Sequence, residues 1–274
     1  MTNASPPLIL VTNDDGIESP GLAASVAALS PLGDLLILAP LHQQTSAARS
    51  RPAKVVNGGL MIPRTIRYQD RSWEGFAVDA TPAVAVDHGI LELADRPVSL
   101  VVSGINYGEN VSTCVTVSGT VGAALQAAEY GIPAIAISLE IEEDDFYTHD
   151  NTTDFATAVH FLRYFSEQTL KSDLPADVDV LKIEIPNKAD KDTPWVVTRL
   201  DRLMYYQARF SKRDDVFTDP TEIHLSTLKG EYTEQGTDTH ALAQGWVSVT
   251  PLSLDLTSRV ELSELHRIIS GDDS

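Results

Sequence analysis

The stretch Leu8–Gly16, with the sequence Leu-Ile-Leu-Val-Thr-Asn-Asp-Asp-Gly, constrains the fold of this chain more than any other feature. Its first five residues are apolar or β-branched, and the run is too short for a helix, so it predicts a buried strand. Two carboxylates, Asp14 and Asp15, follow the strand at once. Adjacent side chains on a regular strand point to opposite faces, so both reach one point only if the backbone turns there, as Gly16 permits.

Asp14 and Asp15 stand where an open α/β sheet binds its ligands, beyond the carboxyl end of a strand. Two oxygen anions in that place suit a Mg²⁺ or Mn²⁺ ion, which in turn holds phosphate oxygens. The same residues are also typical of an ordinary Asn-Asp-Asp-Gly surface turn. The residues alone leave both interpretations open.

Strands and helices alternate through the first half of the chain. Core strands are predicted at Leu8–Thr12, Asp34–Ala39, Val98–Val102 and Ile132–Leu139. Helices are predicted to begin near Pro20, Thr81 and Ser118, and a hairpin is predicted from Lys54–Ile62 and Trp73–Val78. Strands that alternate with helices at this spacing predict a mainly parallel sheet with right-handed crossovers.

The second half shows a weaker pattern. Helices are predicted over Thr152–Gln168 and Val260–Ile269, and strands over Asp177–Ile185, Trp195–Leu200 and Gly245–Pro251. Glu140–Asp145 is acidic and is interpreted as a solvated loop. Arg202–Gly236 is polar and aromatic with no clean period, and we expect it to form an arm that packs on another subunit.

Polar segments follow three of the core strands: Asn13–Gly16, Gln43–Ser46 and Ser103–Asn110. A fourth segment, Ser118–Gly122, opens a helix with Ser118 as the predicted N-cap. Its glycines let a phosphate approach the backbone, and the first-turn N–H groups and helix dipole favour negative charge. Together with the Asp pair, this segment predicts an electrophilic metal beside an oxyanion cradle.

Composition excludes several partners. The chain has 274 residues, with 39 Asp and Glu against 20 Lys and Arg, giving a net charge of −19. Such a surface repels polyanions, so we expect no nucleic-acid polymer and no anionic membrane as a partner. The N-terminus lacks the basic and apolar regions of a signal peptide, and one cysteine, Cys114, is compatible with a reducing compartment. We therefore expect a cytoplasmic protein.

Several enzyme classes are disfavoured because their motifs do not occur in the sequence. There is no Gly-x-x-x-x-Gly-Lys-[Ser/Thr] segment for a P-loop, and no Gly-x-Gly-x-x-Gly follows the first strand. A Gly-x-Ser-x-Gly elbow is absent, and the seven histidines lack zinc-site spacing. Cys114 has no evident partner and is interpreted as a bystander.

Five ordered motifs stand at loop ends: Ile9–Ile17 with Pro20-Gly21, Ala39-Pro40 with Gln44-Thr45, Thr81-Pro82-Ala83, Val101–Asn106 with Gly108 and Asn110, and Ser118–Ala124. In this order they closely resemble the SurE family of survival-protein nucleotidases. The similarity continues through Gly131–Ser138, Val197–Leu200, Thr237-Asp238, Val247–Leu252 and Asp255-Leu256. It therefore spans nearly the whole chain.

The resemblance implies a metal-dependent phosphatase acting on nucleoside 5′- and 3′-monophosphates, and in some members on short polyphosphate. The family's metal ligands fall on Asp14, Asp15, Thr45 and Asn106, with Mg²⁺ or Mn²⁺ as the ion. Its phosphate-binding loop falls on Ser118, Gly119 and Thr120. We further assign Asn13 and Asn110 to substrate binding, and Asp14 and Asp15 to catalysis.

The resemblance also implies a Rossmann-like α/β core with helices on both faces, and a C-terminal hairpin and helix that build a homodimer or homotetramer. Residues 1–274 are expected to form one domain, with the site in residues 1–150 and core completion plus the oligomerisation arm in about 177–274. Three positions depart from the family: Thr45 replaces the usual Ser, Ala80 replaces a Gly, and Arg259 replaces a His of some members. No acid–base role is assigned to Arg259.

Two other functions remain open from the residues alone. One is a Rossmann-like cofactor-dependent enzyme, and the other is a catalytically silent nucleotide-binding protein. Metal-dependent release of phosphate from a nucleotide would separate the phosphatase from both.

Overall fold

The computed structural model describes residues 5–54, 56–141, 153–227 and 234–271, and these residues form eleven strands and six α-helices. The strands are β1 (Leu8–Thr12), β2 (Asp34–Pro40), β3 (Met61–Tyr68), β4 (Arg71–Val78), β5 (Val98–Tyr107), β6 (Ala134–Leu139), β7 (Val180–Ile185), β8 (Trp195–Val197), β9 (Tyr206–Phe210), β10 (Ile223–Thr227) and β11 (Val247–Leu252). The helices are α1 (Pro20–Leu29), α2 (Pro82–His88), α3 (Gly119–Glu129), α4 (Ala156–Lys171), α5 (Asp238–Ala243) and α6 (Leu262–Ser270).

Nine strands pair in one sheet in the order β3-β4-β2-β1-β5-β6-β7-β11-β8. From β4 to β7 every neighbouring pair is parallel, whereas β3 pairs antiparallel to β4 and β11 pairs antiparallel to β7. β1 lies between β2 and β5, with Thr12 opposite Ser103. The carboxyl ends of these three strands therefore meet at one edge of the sheet, and the mainly parallel core is confirmed.

Strand β1 buries both of its faces. Ile9 and Val11 pack into a cluster with Leu22 of α1, and Leu10 packs into a second cluster with Ala127 of α3. Burial of each such large apolar side chain stabilises the fold by about 1.5–3 kcal/mol. Because α1 and α4 cover one face while α2 and α3 cover the other, the prediction of helices on both faces is confirmed.

Two predicted boundaries are wrong. The third core strand was predicted to end at Val102, but β5 continues to Tyr107 with Ser103–Tyr107 buried. The first hairpin strand was predicted to end at Ile62, yet β3 runs from Met61 to Tyr68. Pro63 and the exposed Arg67 disfavoured a strand prediction for this segment. An edge strand nevertheless tolerates a proline, and it exposes every second residue.

Three short elements within 202–243 were not predicted from the residue pattern, although the resemblance implied a C-terminal hairpin without bounds. They are the antiparallel pair β9–β10 and the helix α5. The predicted loop Glu140–Asp145 and the predicted start of a helix at Thr152 lie wholly or mostly outside the described residues. Within the ranges given above, no helix is both long and apolar enough to cross a membrane.

Candidate active site

The backbone turns sharply after β1, as convergence of the two carboxylates requires. The side chain of Asn13 closes this turn, because its Nδ2 donates to the carbonyl oxygen of Gly16 (3.0 Å) and its Oδ1 accepts from the Gly16 N–H (3.2 Å). Gly16 has a φ of 100°, which a side chain would strain. Asn13 is fully buried, so its side chain shapes the turn from within.

Asp14 faces the N-terminus of α3. The Thr120 hydroxyl donates to Asp14 Oδ1 at 2.5 Å. A Cβ on Gly119 would lie 2.7 Å from Asp14 Oδ2, so only glycine lets the helix approach this carboxylate so closely. Ser118 caps the helix by accepting from the Val121 N–H at 3.1 Å, which confirms the predicted N-cap.

Asp15 faces the end of β5 and the loop after β2. Its Oδ2 accepts from the Tyr107 N–H at 3.2 Å, and its Oδ1 accepts from Gln43 Nε2 at 3.4 Å. The backbone carbonyl of Asp14 accepts from the Gln44 N–H at 2.7 Å. The polar segments after β1, β2 and β5 therefore meet at the Asp pair.

Burial makes this Asp pair electrostatically unusual. Loss of solvent raises the pKa of Asp14 from 3.8 to about 6, although hydrogen bonds from Thr120 oppose the rise. Burial and the neighbouring charge of Asp14 together raise the pKa of Asp15 well above its ordinary value. Two buried carboxylates that repel each other are stabilised in the charged form by a cation between or beside them.

The donor set fits a hard divalent cation. In the described part of the chain no group of three or more His, Cys, Asp or Glu side chains is arranged to hold a metal, so the ion would depend on two carboxylates and neutral oxygens. Asn106 Nδ2 donates to the carbonyl oxygens of Tyr107 (3.1 Å) and Gly108 (2.6 Å). These bonds fix Oδ1 as the end of the amide that is available to a cation.

A pocket of about 230 Å³ opens beside Asp14. Its lining consists of Asp14, Gln43, Thr45, Ser46, Asn106, Tyr107, Gly108, Glu109, Asn110, Cys114, Val117, Ser118, Tyr206 and Ala208. Five predicted site residues thus share one cavity. The other four do not belong to its lining and are close neighbours of Asp14 or Ser118 in the chain: Asn13, Asp15, Gly119 and Thr120. Among the described residues that line this pocket, none is a Lys or Arg.

Glu109 and Tyr206 line the pocket, although neither was predicted as a site residue. Tyr206 donates to the carbonyl oxygen of Glu109 at 2.9 Å, and Tyr205 donates to the Glu109 carboxylate at 2.7 Å. Both tyrosines belong to the segment predicted to form an arm on another subunit, and within the described chain they bond to Glu109. Cys114, interpreted as a bystander, also lines the pocket.

Comparison with known proteins identifies the family. The family described as survival protein SurE matches residues 9–207. The 5′-nucleotidase SurE of Archaeoglobus fulgidus is 42% identical over 270 residues, covering 96% of this chain and 97% of that protein, and that of Thermococcus gammatolerans is 38% identical over 269 residues, covering 96% of each. The crystal structure of SurE from Aquifex aeolicus superposes with a TM-score of 0.73 at 29% identity, covering 96% of this chain and all of the other. The chain therefore belongs to the SurE family.

Proposed function

We propose that this protein is a metal-dependent phosphomonoesterase that converts nucleoside 5′-monophosphates to nucleoside and phosphate. Its relatives named 5′-nucleotidase SurE support this assignment. The observation that carries it is the pocket itself, which places a buried carboxylate pair beside a helix N-terminus with no Lys or Arg in the described lining. A phosphate dianion would be repelled there unless a metal ion neutralised the carboxylates.

In this proposal Asp14, Asp15, Thr45 and Asn106 hold a Mg²⁺ or Mn²⁺ ion. When bound, the ion neutralises phosphate charge and lowers the pKa of a bound water. Thr120 holds the Asp14 carboxylate in place through the 2.5 Å bond from its hydroxyl. We infer that the two carboxylates have this catalytic role through the ion and leave the choice of a general base open.

The phosphate would lie at the N-terminus of α3. The N–H groups of Gly119 and Thr120 belong to the first turn, where they lack helical partners and favour an anion. Ser118 caps this turn, and Asn110 lines the same pocket, where its Nδ2 donates to Ser138 Oγ at 3.0 Å. These groups supply the positioning and electrostatic stabilisation that phosphoryl transfer chiefly requires.

The nucleoside would occupy the less polar part of the same pocket. Tyr206, Val117, Cys114 and Ala208 belong to the lining and offer mainly apolar surface suited to a base and a ribose. Hydrolysis of 3′-monophosphates and of short polyphosphate belongs to the same proposal, because both present a terminal phosphate to the same groups. A cofactor-dependent enzyme and a silent nucleotide-binding protein are the competing functions.

We also propose that the protein assembles as a homodimer or homotetramer through its C-terminal part. Helix α6 leaves all nine of its residues exposed in the described chain, including Leu262, Ile268 and Ile269. A helix with an apolar stripe on one face is stable in water when that stripe is covered.

The test is a screen of phosphate release from nucleoside 5′- and 3′-monophosphates and from pyrophosphate, with Mg²⁺, Mn²⁺ or a chelator. We expect release from 5′-monophosphates that depends on the metal and is lost with chelator. Full activity in chelator would refute the metal-dependent mechanism. Binding of nucleotide without turnover in either metal would favour the silent binding protein.

A further inference from the structure

The loop that carries Thr45, between β2 and β3, has a backbone that needs support. Ser46 has a φ of 62° and Ala48 has a φ of 51°. Residues with a Cβ rarely adopt this left-handed conformation, and they keep it only where surrounding contacts hold it. Thr45 directly precedes the first of these residues, so its orientation depends on whatever holds the loop.

The backbone of this loop is fastened on both sides of Thr45. On one side the Gln44 N–H donates to the carbonyl oxygen of Asp14 at 2.7 Å, and on the other the Ala48 N–H donates to the carbonyl oxygen of Val117 at 3.0 Å. The carbonyl oxygen of Ala48 also lies against α3, only 2.1 Å from where a Cβ on Gly122 would be. The loop and the helix therefore fit together only with glycine at position 122.

Side chains fasten the end of the loop to two helices. Arg49 Nε donates to Gln126 Oε1 at 2.8 Å, and Arg49 also forms an ion pair with Glu129. Arg51 Nε lies 2.9 Å from Asp87 of α2, and Gln126 Nε2 donates to the same Asp87 at 2.6 Å. We refer to these five residues as the Arg49 cluster.

We infer that the Arg49 cluster positions Thr45 and so sets the metal affinity of the site. The inference rests on the proposed function, in which Thr45 is a metal ligand. Helix α3 then has two roles: its first turn cradles the phosphate, and its second half anchors the loop that completes the ion's ligands. The Arg49 guanidinium is a cation with no acceptor atom and is bonded to Gln126 and Glu129, so it acts through Thr45 as a positioning residue.

The experiment measures Mn²⁺ binding to the protein without substrate, by the loss of the free Mn²⁺ signal in electron paramagnetic resonance. We expect Arg49→Met to raise the dissociation constant for Mn²⁺ about 10-fold, the lower end of the range for groups that orient metal ligands. The fold should survive, because Arg49 and Glu129 are partly exposed, with 31% and 49% of their side-chain surface accessible, and such pairs stabilise little. Arg96→Met is the matched control, since Arg96 forms a similar ion pair with Asp34 (2.6 Å) at the start of β2.

A double-mutant cycle with Thr45→Val tests whether Arg49 acts through Thr45. We expect the double variant Thr45→Val/Arg49→Met to bind Mn²⁺ no more weakly than Thr45→Val alone. Wild-type affinity in Arg49→Met, or effects that add in the double variant, would overturn the inference. If Arg49→Met does not fold, Gly122→Ala takes its place, because the added Cβ displaces the same loop. Wild-type affinity for Mn²⁺ in Gly122→Ala would also overturn the inference. If Thr45→Val itself leaves Mn²⁺ affinity unchanged, the proposed ligand set fails instead.

Discussion

Helices α3 and α6 have similar lengths and opposite surroundings. Nine of the eleven residues of α3 are buried, and its first turn lies against Asp14. None of the nine residues of α6 is buried, although its sequence alternates apolar and charged positions with a clear helical period. The first half of the chain covers its own apolar surface, whereas the C-terminal part presents apolar surface that the described chain does not cover.

This difference shows what an amphipathic pattern can and cannot determine. In α3 the apolar residues are small and face the central strands, so burial follows from the sheet that the same chain provides. In α6 the pattern fixes the helix and its apolar face, but the surface that covers this face must come from elsewhere. The following predictions test whether the first half of the chain forms the catalytic site, and whether the C-terminal part depends on a partner subunit.

The largest expected effect is on the rate of hydrolysis at the Asp14 and Asp15 site. Asp14→Asn removes one anionic oxygen beside the proposed ion while keeping size and shape, so we expect hydrolysis to fall by roughly 10³-fold or more. The fold should persist, because burial already disfavours the charged form of Asp14, whose pKa is raised to about 6. Phosphate release in saturating Mn²⁺ measures the effect, and the melting temperature without metal checks the fold. Near-normal turnover in saturating Mn²⁺ would refute the assignment of Asp14 as a metal ligand.

The sequence predicted this half well because its signals are local. The run Leu8–Thr12 is buried on both faces and Gly16 permits the turn, so the strand and the carboxylate pair could be placed from the residues alone. The wall formed by Glu109 and Tyr206 could not, since about a hundred residues separate them and only the tertiary fold brings them together. The bond from the Thr120 hydroxyl to Asp14 was not predicted either, because about a hundred residues separate the two side chains.

The next effect concerns the C-terminal part. Leu265 and Ile269 are four residues apart on α6 and share one face, with 41% and 76% of their surface exposed. We expect Leu265→Glu/Ile269→Glu to convert the oligomer to monomers, because buried unpaired charges are costly at an interface. Light scattering at micromolar concentration gives the mass of each protein.

A matched control places the same charges on the opposite face of α6. Ser263→Glu with Ser270→Glu should leave the mass of the oligomer unchanged, since these two polar residues share the face of the helix away from the apolar stripe. A monomeric wild-type protein at that concentration would refute the assembly prediction outright. An oligomer that survives Leu265→Glu/Ile269→Glu would move the interface away from α6.

A smaller effect, on the pH dependence of stability, is expected where three ionisable side chains of β7 and α5 are fully buried together. Lys182 Nζ of β7 lies 3.1 Å from Asp238 of α5 and 3.4 Å from Glu184. Burial raises the pKa of Glu184 from 4.5 to about 8, although Lys182 opposes the rise. A raised folded-state pKa gives stability that is fully present below about pH 4.5 and is lost as pH rises through about 8.

Glu184→Gln should remove this pH dependence, because the amide stays neutral. We expect the free energy of unfolding of the wild type to fall relative to that of the variant by on the order of 2 kcal/mol between pH 5 and pH 9. Urea denaturation of both proteins in chelator at pH 5, 7 and 9 measures the difference. Parallel pH profiles would show that Glu184 is already ionised in the folded protein at pH 5.

The smallest effect concerns the proposed contact between Tyr206 and the nucleoside. Tyr206 begins β9, in the second half of the chain, yet it lines the same cavity as Asp14 and its hydroxyl donates to the Glu109 carbonyl. If the base rests on the Tyr206 ring, Tyr206→Ala should raise the KM for a nucleoside 5′-monophosphate about 10-fold, since stacking of a base on an aromatic ring contributes about 1–3 kcal/mol. Glycerol phosphate, which lacks a base, should keep its KM.

Tyr206→Phe keeps the ring and loses only the hydrogen bond, so its KM should stay close to that of the wild type. Equal losses for both substrates in Tyr206→Ala would mean that the tyrosine supports the whole pocket rather than the base, and the second half would then contribute structure to the site but no selectivity.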